Sequence, residues 1–442
     1  MVIKIKRILI YIICMLIVLS ILTSCTTTPK QVVEPIKNKT GKVTLKCVIP
    51  FDDEKKKDAF KDFETDVKSE FPDYDIKLDF IKGDVNAYNT KIKVMMFSDT
   101  PPDIFYSGDE NFTEELYSEK NIQPLEKKLD AMDYWNLVIP SAKLVGNTGH
   151  IYAVPIDEVY YNVMLLNTDL FYHNNVKIPE SFEELKSAVE EFKGKNITPI
   201  ALGGKDGLSA YNMIESFAGT MDNEITSKII NGKTSFSGDT FKQATTSVKQ
   251  LIELGAFPEK TETVSDEEAG DLFYASKAAI YCTSSDKLNT AYTKLKGKIA
   301  VLYYPNPSKL EQTTPINIVS GGAKKDSGLL VSASTSYPTE SAKLAVEMSK
   351  YYNKYLYEKQ GDDSILYNSD KMKWNASEIK YPLISELMSN AKQENTINSG
   401  LFEDNLSSDK EKSVEEASTE FMTGILPVSD YLKELDIVMK LK

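Results

Sequence analysis

The side chains that most often carry chemistry are few in this chain. Arg7 is the only arginine, so a clamp of paired guanidinium forks for carboxylate or phosphate is excluded from the rest of the sequence. An anion would have to be held by lysine, backbone N–H groups or helix N-termini. His150 and His173 are the only histidines, which excludes a histidine-rich metal site. The four cysteines, Cys14, Cys25, Cys47 and Cys282, are too few and too scattered for a disulfide framework. Catalytic signatures are missing as well. There is no G-x-S-x-G elbow and no H-E-x-x-H, and Gly203-Gly204-Lys205-Asp206-Gly207 lacks the spacing of a phosphate-binding loop. Carboxylates are plentiful, but glycoside hydrolysis needs two of them at a defined separation in space. The residues point to a binder with no metal and no cofactor, rather than an enzyme.

The elements that position such side chains must come from 442 residues, enough for about two to four folding units. Hydrophobic residues are 41% and charged residues 26%, an ordinary globular balance. The net charge is −13. Nucleic-acid binding relies on basic stripes against phosphate, so none is expected here.

The N-terminus reads as a leader. Lys4, Lys6 and Arg7 precede an apolar run from Ile8 to Leu22 interrupted only by Ser20, which suits a signal-peptide core and is short for a spanning helix. Leu22-Thr23-Ser24-Cys25 resembles the lipobox of bacterial lipoproteins. That resemblance implies cleavage before Cys25 and lipidation of its thiol, with diacylglycerol and palmitate as the anchor. Removing the three leader bases from −13 leaves −16. Residues 25–41 then read as a polar tether.

From Val43 onward, two periodicities alternate. Val43, Leu45, Cys47 and Ile49 predict a strand; Ala59, Phe60, Phe63 and Val67 a helix; Ile76, Leu78 and Phe80 a strand; Tyr88, Ile92, Met95 and Met96 a helix; and Ile104 to Tyr106 a buried strand. Strands are also expected over 151–155, 162–166, 198–202, 277–282 and 298–303. Helices are expected after a capping box at Ser181 and Glu184, around Phe241 to Ile252, and from a cap at Thr339 to about Tyr357. Such alternation is the mark of a parallel α/β sheet.

Along this framework run Pro102-Asp103-Ile104-Phe105, Gly149-His150-Ile151-Tyr152-Ala153-Val154-Pro155, Leu166-Asn167-Thr168-Asp169-Leu170-Phe171 and Ile178-Pro179-Glu180-Ser181-Phe182-Glu183-Glu184-Leu185. After them come Ile197-Thr198-Pro199-Ile200, Ala275-Ser276-Lys277-Ala278-Ala279-Ile280-Tyr281 and Ser320-Gly321-Gly322. In this order they resemble the family 1 extracellular solute-binding proteins, the sugar-binding lipoproteins of ABC importers related to maltose-binding protein. Leu166 and Phe182 depart from the family's usual Tyr and Trp, and Pro50-Phe51 stands where a Trp is frequent. The aromatic platform is thus expected to be reduced or moved.

The resemblance implies a two-lobed α/β fold of the type II periplasmic-binding-protein kind. Its three hinge crossings are expected near 155–158, 300–305 and 333–338, with a ligand cleft between the lobes. After a signal peptide at 1–24 and the tether, the N-terminal lobe would be 42–156 plus 304–335, and the C-terminal lobe 157–303 plus 336–442. In the first lobe it makes Asp52, Asp53, Glu54, Asp109, Glu110 and Asn111 candidate ligand contacts, with Asp157, Glu158, Tyr160 and Tyr161 at the first crossing. In the second it points to Tyr211, Asn212, Ser284, Ser285, Asp286, Gly321 and Gly322, with Trp374 as the late stacking aromatic. Carboxylates and amides bind hydroxyls, and aromatic faces cover sugar rings. Cys47 and Cys282 are expected as separate thiols in different lobes. The implied protein is a monomer on the extracytoplasmic face of the cell membrane, passing a carbohydrate to permease subunits. A sensor or adhesin on the same fold, or a glycoside-acting enzyme, are the other readings. Cys25→Ala should leave uncleaved precursor or shed the protein from the membrane fraction; normal lipid labelling of the variant would refute the anchor.

Overall fold

The computed structural model describes residues 42–440, except 52–53, 84, 99–100, 109, 144, 147, 309–316, 325, 392–395, 400, 402–405 and 407. The leader, Cys25 and the tether therefore lie outside the described residues.

Strands β1 (Val43–Phe51), β2 (Tyr74–Lys82), β3 (Ile104–Ser107), β4 (Ala153–Val154) and β10 (Gly328–Val331) form a first sheet in the order β2-β1-β3-β10-β4. A second sheet has the order β11-β9-β5-β7-β6, with β8 also paired to β5. It contains β5 (Tyr160–Asn167), β6 (Thr198–Ala201), β7 (Ala278–Ser284), β8 (Ile299–Leu302), β9 (Asn317–Gly322) and β11 (Thr396–Ser399). Both sheets are mixed rather than parallel. β1 and β3 run parallel, as do β6 and β7, but β10 is antiparallel to β3 and β4. β5 is antiparallel to β7, β8 and β9.

The main helices are α1 (Glu54–Ala59), α2 (Val85–Met96), α3 (Glu110–Ser118), α4 (Phe182–Gly194), α5 (Leu208–Met221), α6 (Asp239–Leu254), α7 (Asp266–Tyr274), α8 (Pro338–Tyr355), α9 (Pro382–Ala391), α10 (Ser408–Met422) and α11 (Val428–Val438). At α4 the Ser181 hydroxyl accepts from the Glu184 N–H, but the Glu184 carboxylate takes the Glu180 N–H, so the predicted box is half formed. At α8 the expected cap Thr339 is already helical, because Pro338 occupies the first turn, where its missing N–H costs nothing.

The chain first passes from one sheet to the other between β4 and β5, within the range expected for the first crossing. The other two expected crossings are corrected. β8 and β9 both belong to the second sheet and β10 to the first, so the next passage lies between β9 and β10 rather than at 300–305. Helix α8 packs on β10 and β4 of the first sheet. Its Ser349 hydroxyl and Asn353 amide donate to the carbonyls of Pro155 and Ile156. The chain remains beside the first sheet through Tyr367, which bridges to Val138, and reaches the second with α9, which packs on β8, β9 and β11. The passage expected at 333–338 thus falls after Trp374.

The first two passages lie backbone against backbone. A Cβ on Gly321 (φ +132°) would stand 2.2 Å from the Tyr160 carbonyl oxygen, and one on Gly328 (φ +138°) 2.2 Å from that of Val154. Only glycine fits at both points. Gly321→Ala should cost about 1–3 kcal/mol from strain and clash. Gly322→Ala, with a similar φ but nothing within 4 Å of the new Cβ, should cost less. Melting temperatures of the two variants against wild type check this.

Candidate functional site

A cavity of about 310 Å³ opens at the carboxyl ends of β7 and β9, where open α/β sheets generally bind ligands. Strand alternation selects its floor. Tyr160 and Asn162 of β5, Cys282 and Ser284 of β7 and Gly322 of β9 face it. The registers Tyr160–Gly322, Asn162–Ser320 and Asn162–Ser284 bring these residues together. The roof is the first turns of α5, which packs across β9, β5 and β7 and contributes Leu208, Ser209 and Asn212. Asp266, Asp286, Lys287, Tyr304 and Lys324 complete the wall.

The two acids are held differently. Ser265 caps α7 with a full capping box, which fixes Asp266 at the start of the helix. Burial raises the Asp266 carboxyl pKa above its ordinary value, and the Tyr281 hydroxyl, donating to its Oδ1 at 3.0 Å, partly offsets this. Asp286 receives the Lys287 ammonium at 2.7 Å. Burial alone would lower the Lys287 pKa, but the Asp286 partner raises it. Burial, then the charges of Glu158 and Asp286, push the Tyr160 phenol up, so it remains a donor. The Cys282 thiol is pushed up to about 12 by burial, which leaves it protonated and inert at neutral pH. With two carboxylates and two ammonium groups the wall carries no net charge.

Of the residues anticipated from sequence, Tyr160, Asn212, Ser284, Asp286 and Gly322 line this cavity. Others lie elsewhere. Tyr161 points to the opposite face of β5 and is 2% exposed, its N–H donating to the Ser285 hydroxyl, itself buried. Gly321 is pressed against the Tyr160 carbonyl. Tyr211 is 1% exposed and packs on Phe236 and Phe241 in the core. Trp374 packs against Tyr357 and Tyr367. Glu110 is buried in the first turn of α3, and the Asn111 amide donates to the Leu406 carbonyl. Asp52, Asp53 and Asp109 lie outside the described residues, as does the side chain of Glu54.

Asp157 and Glu158 line the first passage rather than the cavity. Consecutive lysines of α1 pair with them: Lys56 with Asp157 at 2.8 Å and Lys55 with Glu158. The Tyr106 hydroxyl donates to Asp157 at 2.7 Å, and the Tyr352 hydroxyl to Glu158. Sequence reading missed Asn162, Ser209, Asp266, Lys287 and Lys324. For Asn162 a signal existed, an amide opening the apolar run Val163 to Leu166; for the others the sequence offered none.

Among the described residues no helix is long and apolar enough to cross a membrane. The mixed α/β fold and its cavity define a ligand-binding protein of the periplasmic-binding-protein kind. The chain belongs to the bacterial extracellular solute-binding proteins, whose family model matches residues 58–374. Solved structures agree on the fold. A protein studied for xylan utilization by the thermophilic bacterium Caldanaerobius polysaccharolyticus is 24% identical, with a TM-score of 0.70 over 90% of this chain and 100% of the other. A chitin oligosaccharide binding protein is 19% identical, with a TM-score of 0.68 over 90% and 98%. A family 1 extracellular solute-binding protein from Bifidobacterium longum subsp. infantis is 14% identical, with a TM-score of 0.66 over 90% and 99%. No curated protein matches the chain in sequence.

The Asp157 cluster yields a pH prediction. Burial opposes its ionisation, but Lys56, the Tyr106 hydroxyl and Lys324 win and hold the carboxyl below the usual range. A depressed folded pKa stabilises above the unfolded value of about 3.9, and the contribution is lost as pH falls through the folded value. Asp157→Asn should therefore lower the melting temperature at neutral pH, and the gap from wild type should narrow as the pH is lowered below about 3.9. An equal gap on either side of that pH would count against the pairing.

Proposed function

We propose that this protein captures a neutral carbohydrate, an oligosaccharide in preference to a charged solute, and delivers it to the permease of an ABC importer. On this reading it is held outside the cell by a lipid on Cys25 and works by binding, not turnover. The observation that carries the ligand class is the cavity wall. Amide, hydroxyl and phenol groups from Asn162, Ser209, Asn212, Ser284 and Tyr160 surround a space whose charges, Asp266 and Asp286 against Lys287 and Lys324, balance. The names of the xylan-utilization and chitin-oligosaccharide proteins support the same class. The volume of about 310 Å³ sits at the lower end of small-molecule sites. The lining comes from the second sheet, the helices packed on it and the second passage, so the first sheet's layer is proposed to close over a ligand anchored on the second, with the three passages as hinge.

A hydrogen bond to a charged group contributes roughly 1.5–3 kcal/mol, and about 1.4 kcal/mol is one decade of affinity. A thermal-shift screen of neutral oligosaccharides should raise the melting temperature by mass action. Calorimetric titration of the best sugar should then show a loss of at least about tenfold in Asp286→Asn and no change in Trp374→Ala. Tight binding of a phosphorylated or carboxylated compound instead would overturn the ligand class.

A further inference from the structure

Asn162 stands on β5 between Ser320 of β9 and Ser284 of β7. Directly opposed residues on paired strands share a face, so the three form a polar row across a sheet face otherwise floored by Met164, Leu166 and Ile280. Asn162 lines the cavity and is only 9% exposed, yet its Nδ2, itself closed off from solvent, has no hydrogen-bond partner, so a ligand engages both edges of the amide by turning it about χ2. Folded proteins leave few buried polar groups in this state, because the lost hydration is not replaced. Turning the amide end for end leaves Oδ1 in the same position, so the orphan survives either assignment. Strand geometry gives no reason for asparagine here; a β-branched residue would suit the strand better.

We infer that Asn162 is the specificity-determining contact of this cavity, held for a ligand group that both accepts from and donates to one amide: two adjacent hydroxyls on an uncharged ring. The inference rests on reading the cavity as the ligand site. An amide offers one donor edge and one acceptor edge side by side. A carboxylate fills only the first, an ammonium only the second, and a vicinal diol fills both. The surroundings repeat the choice. Asp266 and Asp286 balance Lys287 and Lys324, so the wall adds no net attraction for an ion of either sign. Ser209 and Asn212, on the α5 side, remain as contacts for the far edge of the ring.

The test compares wild type with Asn162→Leu, close in size, and Asn162→Thr, which suits a strand if the leucine variant folds poorly. Melting of ligand-free protein comes first, then calorimetric titration with xylotriose, diacetylchitobiose and raffinose. Both variants should melt at or above wild type, since an unsatisfied buried group has been removed. Any of these sugars that binds wild type should bind each variant at least about tenfold more weakly. Unchanged affinity in a folded variant overturns the inference and leaves carbohydrate capture standing. Failure of all three sugars to bind wild type counts against carbohydrate capture, and the inference is then decided by melting alone. A fall in melting temperature in both variants shows that the amide serves the fold, and overturns the inference whatever binds.

Discussion

Two close approaches of backbone to backbone, Gly321 to Tyr160 and Gly328 to Val154, govern the arrangement of everything else. At one end the Cα of Gly321 rests on the carbonyl of Tyr160; at the other that of Gly328 rests on the carbonyl of Val154. No side chain can separate them. The carbonyls of Pro155 and Ile156, which leave the ladder as the chain exits β4, are taken up by Ser349 and Asn353 of α8, as buried backbone acceptors require. Lys55 and Lys56 then hold the two acids that follow. This close crossing fixes where β5 begins. It thereby sets Tyr160 and Asn162 opposite Gly322 and Ser284, the residues that make the cavity floor.

The charge chemistry follows from the near absence of arginine. Every cation beside the cavity and the crossing is a lysine, a compact charge on a flexible stem rather than a planar fork. One kind of acid shows two outcomes. Asp157, with Lys56 and a tyrosine hydroxyl in contact, is held ionised despite burial. Asp266, with a tyrosine hydroxyl but no direct lysine partner, has its pKa raised by burial. The first is an anchor for structure, while the second stands at the edge of the cavity.

How much of this could be read from the chain depended on distance along it. Strong local patterns served well. The alternation from Val43 to Ile49 became β1, the apolar run after Asn162 became β5, and the helical spacing from Phe241 to Ile252 became α6. Three short strands went unread, because Asn317–Gly322, Gly328–Val331 and Thr396–Ser399 pair only with segments far away along the chain. Missing β9 and β10 displaced the expected second passage from the place where those strands put it. The same limit governed the site. Asp157 and Glu158 look like cleft acids in isolation; only the fold brings Lys55 and Lys56, a hundred residues earlier, against them. Tyr161 differs from Tyr160 by one step of the strand, and that step turns it into the core.

Cys47 and Cys282 sit in different sheets, and both are buried. Burial raises the pKa of each thiol, and nearby acids add to the rise at Cys47. The thiolate, not the thiol, attacks disulfides and is captured by oxidants. A protein of an extracellular family can therefore carry two cysteines through an oxidising space without a bridge between them and without cross-linking to its neighbours. Each sulfur becomes reactive only when its own sheet opens. The two thiols are thus paired clocks of local unfolding, one for each half of the molecule, built in without any added label.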